Sequence, residues 1–81
     1  MSEESLTVSI RDLGLVSALV TYGFEISDTH RDTDGRTYFI FQETAALDET
    51  VNSYYADTLQ VKARQFFDNT KMLKGRIYSD N

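Results

Sequence analysis

The 81-residue chain has no cysteine, no proline and one histidine. Without cysteine there is no disulfide, no thiolate nucleophile and no thiolate metal site, which fits a reducing, cytoplasmic compartment. Without proline, repeats or low-complexity tracts there is no linker to divide the chain, and a second hydrophobic core would need far more residues. One domain over 1–81 is expected, with 1–4 and 79–81 disordered. No run approaches the ~20 apolar residues of a membrane span. Met1-Ser-Glu-Glu-Ser5 is acidic and polar, the opposite of a secretory leader, so membrane association is not expected.

Glycines 14, 23, 35 and 75 are too scattered to build a phosphate-cradling loop, and no serine sits in a Gly-x-Ser-x-Gly elbow. His30 lies near Asp28 and Asp32, yet a histidine base needs a partnered nucleophile that the chain does not supply. Asp28-Thr-His-Arg-Asp-Thr-Asp-Gly35 alternates carboxylates before a glycine as a calcium loop does. Counted from His30, however, the first and twelfth positions are an imidazole and Phe41 instead of two acids, and two arginines repel a cation. No catalytic residue, cofactor, metal or small-molecule substrate is expected.

What is present is an acidic chain with apolar and aromatic residues in clear periods. The net charge of -5 resides in residues 1–46, where eight acids face three arginines, while the remainder is balanced. A generally basic nucleic-acid binder is thereby disfavoured. Leu6, Val8 and Ile10 alternate with polar residues, predicting a strand over about 5–10. Asp12 then caps a helix that Gly23 closes. Phe24 and Ile26 resume alternation as strand two. Thr37–Phe41 is strand three, too apolar for a wet face, and Asp34-Gly35 supplies the turn of the link between them.

Thr44 caps a helix over about 45–55, with Leu47, Val51 and Tyr54 on its apolar side. After the polar break Ala56-Asp-Thr58, the residues Leu59, Ala63, Phe66, Thr70, Leu73 and Ile77 predict a long amphipathic helix ending at Ile77 or Tyr78. The order is β-α-β-β-α-α. The expected class is α+β, with a small three-stranded antiparallel sheet and three helices packed on it.

Tyr54 and Phe66 fall on apolar stripes and are expected in the core, while Tyr55 and Phe67 are left over. Flank packing is the expectation for both, since a small domain uses its aromatics; the alternative is exposure as anchors for a partner. At about 100° per residue, Arg64, Phe67, Lys71 and Lys74 share a stripe beside and behind the apolar face of the last helix. Its plain reading is a solvated face whose bases neutralise Asp57, Asp68 and the helix C-terminus. Its functional reading is a binding surface.

The opening Asp12-Leu13, the ending Gly23-Phe24, the strand Phe39-Ile-Phe41, the pair Tyr54-Tyr55, and Val61 through Phe66 to Lys71-x-Leu73-Lys74-x-x-Ile77-Tyr78 form an ordered set. Over about Asp12 to Tyr78 the chain resembles a family of short uncharacterised proteins of bacteria and their phages, classified as a domain of unknown function. The resemblance implies a compact α+β domain with no activity, cofactor or catalytic residue to carry over. Lys71, Lys74 and Arg76 match its basic last helix.

These readings converge on a non-enzymatic interaction module. It is expected to bind a protein partner, or a second copy of itself, through Arg64, Phe67, Lys71, Lys74 and Tyr55. The first alternative is a nucleic-acid accessory protein with those bases on phosphates and Phe67 stacking on a base. The second is an acidic inhibitor that mimics DNA, for which eight diluted carboxylates are sparse.

Overall fold

A computed structural model describes residues 6–79. The elements follow as β1 (Thr7–Ile10), α1 (Leu13–Tyr22), β2 (Asp28–Arg31), β3 (Thr37–Gln42), α2 (Ala45–Tyr55) and α3 (Ala63–Ser79). The fold is α+β, in the expected β-α-β-β-α-α order. Strand β3 lies in the middle of a three-stranded sheet ordered β1-β3-β2, antiparallel to both neighbours. The disorder expected at 1–4, 80 and 81 lies outside the described residues. Ser79, expected in the disordered tail, instead closes α3.

Local chemistry sets most boundaries. Asp12 Oδ1 accepts the Leu15 amide at 3.2 Å and starts α1. At its end Gly23 has φ 122°, a left-handed conformation that a side chain would strain. The Gly23 and Phe24 amides both donate to the Leu19 carbonyl, so Phe24 belongs to the helix cap and packs inward beside it. That is why Phe24 and Ile26 are not strand two. They dock on the core as an irregular link, and β2 begins at Asp28, inside the stretch expected to be loop.

The hairpin is accordingly tight. Its turn has the Gly35 amide on the Asp32 carbonyl at 3.0 Å and Gly35 at φ 82°, a reversal followed by a glycine bulge. Asp32 Oδ1 accepts the amides of Asp34 and Arg36 at 2.9 and 3.0 Å. The Arg31 guanidinium bridges the hairpin to α3, donating to the Gly35 carbonyl of the turn and, 46 residues away, to the Ile77 carbonyl at 2.9 Å. A guanidinium there satisfies an orphan carbonyl and suits the negative end of the α3 dipole.

Thr44 Oγ1 accepts the Leu47 amide at 3.0 Å and starts α2 as expected. The last helix departs from expectation, because it begins at Ala63 rather than Leu59. Asp57 turns the chain at φ 63°, and the amides of Thr58 and Leu59 donate back to the Ser53 carbonyl. The backbone at 58 and 59 thus finishes α2 and cannot open α3. Lys62 supplies the first helical carbonyl, to the Phe66 amide at 2.9 Å.

The helices cover one face of the sheet. Thr37, Phe39 and Phe41 on that face are buried, together with Ile10, Leu15, Val16, Leu19, Leu47 and Leu73. Tyr38 and Ile40, on the other face, are only half-buried beside Ser9, Asp28 and His30, so β3 does have a partly wet side. Helix α1 packs against both α2 and α3. Asn69 Nδ2 donates to Thr21 Oγ1 at 2.9 Å across the α1–α3 contact.

Three predictions follow from these contacts. A Cβ at Gly14 would stand 2.5 Å from Tyr54 Oη but 3.7 Å from Cζ. Gly14→Ala therefore destabilises the protein by about 1–3 kcal/mol as overpacking does. In a Tyr54→Phe background the clash vanishes and alanine gains up to about 1 kcal/mol of helix propensity. A denaturant double-mutant cycle reads the difference in sign.

Ser17 Oγ is buried without a hydrogen-bond partner. Ser17→Ala should accordingly raise stability by about 1 kcal/mol, seen as a higher urea midpoint.

The Arg36 amide, aided by that of Asp34 and by the charges of Arg36 and His30, holds the Asp32 carboxyl below its ordinary 3.8 despite partial desolvation. A depressed folded-state pKa contributes stability above the unfolded value, lost as pH falls through the folded one. An NMR titration of the Asp32 carboxyl carbon should give a midpoint below 3.8, and Asp32→Asn should flatten that acid limb of the stability curve.

Candidate functional site

Helix α3 commits little of itself to the core. Leu73 is its only fully buried residue, with Phe66, Asn69, Thr70 and Ile77 half-buried around it. Opposite them the helix turns Arg64, Phe67, Lys71 and Lys74 outward, as the spacing predicts. Phe67 is 60% exposed, so its expected flank packing does not occur.

Lys71 Nζ stands 5.2 Å above the centre of the Phe67 ring, a cation on an aromatic face. Arg64, Lys71 and Lys74 make no ion pair with Asp57, Asp68 or any other carboxylate among the described residues. The three bases stand exposed, as on a solvated face, and any neutralising of Asp57 and Asp68 is not by direct ion pairs. Tyr78, four residues on from Lys74, extends the same stripe and is 69% exposed. The sequence reading passed over it as the end of the helix, although its spacing from Lys71 and Lys74 carried the signal.

Tyr55 lies on α2 and not on α3. It too is exposed, at 63%, against the expected flank packing. It stands at the end of α2, edge-on to Tyr54 with ring centres 5.3 Å apart. There it walls two open clefts. One, of about 650 Å³, runs beside β1 and is lined by Val8, Ile10, Leu15, Leu47 and Val51. The other, of about 430 Å³, lies beneath the 57–61 link and is lined by Tyr54, Leu59, Val61 and Phe66.

Of the two aromatics expected in the core, Tyr54 packs against it only partly, and Phe66 lines the second cleft instead. Burial, with Asp12 and Tyr55 nearby, raises the Tyr54 phenol above its ordinary 10.0. The ring lies over the start of α1, where Gly14 leaves room for it.

His30 belongs to β2 and not to a loop. It faces solvent on the uncovered side of the sheet, its ring 6.4 Å from that of Tyr38, and no carboxylate hydrogen-bonds it among the described residues. Of the two acids equally near in the chain, Asp32 is committed to the turn amides and Asp28 accepts the Thr29 amide at 2.8 Å. No group of three or more His, Cys, Asp or Glu is placed to hold a metal ion among the described residues. No helix among them is long and apolar enough to cross a membrane.

What the surface of α3 can do chemically is bind. Three cations and two aromatics on one rigid helix offer charge-assisted hydrogen bonds beside apolar area, the mixture that concentrates binding energy at interfaces. Comparison with known proteins adds one finding, since no curated protein and no solved structure matches the chain. A family model does match, described as Domain of unknown function (DUF5659), over residues 6–79, from the start of the sheet to the end of α3, and the chain belongs to that family.

Proposed function

We propose that the chain is a non-enzymatic interaction module, of bacterial or phage provenance and acting in the cytoplasm, that docks a protein partner through the outer face of α3. Arg64, Phe67, Lys71 and Lys74 are its contact residues, extended by Tyr78. Phe67 carries the reading: a large aromatic, 60% exposed, contributes little to folding and has a lysine standing over its ring. A partner that covers the ring strengthens that cation–aromatic contact by removing water from it.

Charge selects the partner. The stripe is cationic on a chain of net charge -5, so a partner with an acidic rim around an apolar pocket meets it favourably. A nucleic acid would meet the same cations, but the acidic remainder repels it as it approaches. Tyr55, at the end of α2 beside a cleft that Phe66 also lines, is a flanking contact of this proposal.

The test is affinity capture from host lysate with the full chain and a Phe67→Ala/Lys71→Glu variant, each with and without nuclease. Both positions are exposed, so the variant keeps its fold. A partner that survives nuclease and is lost on the variant is expected, with Phe67→Ala alone costing about tenfold in affinity, or 1.4 kcal/mol. Capture abolished by nuclease and falling steeply with salt would transfer the stripe to nucleic acid. Capture indifferent to both substitutions would remove α3 from the contact.

A further inference from the structure

The sheet has two edges, β1 and β2, and they differ in kind. Strand β2 carries Asp28 and Arg31, charges that discourage a further strand. Strand β1, Thr-Val-Ser-Ile, carries none. Its ladder parity follows from one bond, the Glu43 amide on the Leu6 carbonyl at 2.9 Å. Bonded and non-bonded pairs alternate along an antiparallel ladder. Leu6, Val8 and Ile10 therefore direct their backbone groups to β3, and Thr7 and Ser9 direct theirs outward. Among the described residues nothing hydrogen-bonds those outward groups.

We propose that the β1 edge pairs antiparallel with the β1 edge of a second copy of this chain, on a two-fold axis through Val8. The two sheets then run on as one of six strands, twice the three of each copy. This register sets Thr7 opposite Ser9 of the second copy in a bonded pair, and Ser9 opposite its Thr7, so every outward group finds a partner. Val8 meets its own equivalent. Leu6, 63% exposed, comes opposite Ile10 of the second copy, at the cleft lined by Val8, Leu47, Val51 and Tyr55. Centring the axis on Ser9 would bond equally well, but it would set Leu6 against Asp12.

Charge leaves this arrangement unopposed along the strand. No two like charges oppose each other over Thr7–Ile10. The surface is distinct from the outer face of α3, so the inference stands independently of the partner-docking reading.

The chain has no cysteine, so single-cysteine variants report position cleanly. Val8→Cys should cross-link under mild oxidation about tenfold faster than the α3 surface variant Lys74→Cys. A non-bonded pair holds its Cα atoms about 4.5 Å apart, within disulfide reach. The unmodified chain should sediment as a dimer of the 9.3 kDa unit.

Ser9→Pro should sediment as the monomer. The amide it removes points away from β3, the one setting in which a strand accepts proline. Circular dichroism checks that it folds. Leu6→Glu, at an exposed position, should weaken the dimer without touching the core. A monomeric wild-type chain, or a dimer that survives both Ser9→Pro and Leu6→Glu, overturns the inference. A dimer lost on Phe67→Ala instead would move self-association to α3.

Discussion

Phe39 and Phe41, side by side on the covered face of the central strand, are the contact on which the remaining structure is built. The period of two points both rings to one side, and β1 and β2 on either flank keep them from water at the edges. Leu15, Val16 and Leu19 of α1 close over them, and Leu47 and Leu73 complete the cluster from α2 and α3. So small a chain fills one such layer and no second. The sheet's far face consequently stays half-wet, and both later helices are held mainly through α1.

That economy explains the outer face of α3. The helix is fixed at few points: Leu73 in the core, Asn69 on Thr21, and the Ile77 carbonyl on Arg31. Arg76 adds a cation 6.0 Å from the Phe39 ring centre, tying the last turn to the central strand. These anchors lie on one side and hold the axis in place. Arg64, Phe67, Lys71 and Lys74 are then free of structural duty, and changing them should leave the fold standing. The charged hairpin has a part in this through Arg31, whose reach to α3 gives it a role beyond keeping the protein in solution.

Wherever a boundary was written in local chemistry, the sequence showed it. Asp12, Gly23 and Thr44 mark helix ends through bonds within four residues, and the apolar alternation of Thr37–Phe41 marks β3. The differences arose where a distant strand decides, or where a helix end takes up the next few amides, as Leu19 does with Phe24. Asp28–Arg31 is a strand because β3 offers its free side to pair with, and no periodicity in four polar residues announces that. Leu59 has helical spacing from Ala63 and Phe66, but its amide is used by the Ser53 carbonyl. The α3 stripe was legible because a helix turns spacing into direction. The exposure of Phe67 and Tyr55 was not, since it depends on which elements lie beside them.

The two proposed surfaces fit together in space. Arg31 ties α3 toward the β2 side of the sheet, while the cleft beside β1 is walled by α2. A second copy joined at β1 would therefore leave both α3 faces on the outer flanks, unobstructed and related by the two-fold. A dimer of this kind is bivalent. When one stripe docks, the second meets its site at an effective concentration set by the rigid sheet between them rather than by bulk protein, and avidity can exceed single-site affinity by about 10²–10⁴ where the spacing matches. Weak contacts by a single exposed helix, each resting on one aromatic and a few solvated cations, would then suffice for stable attachment to a repeated or two-fold partner. A one-site partner would gain nothing from the pairing.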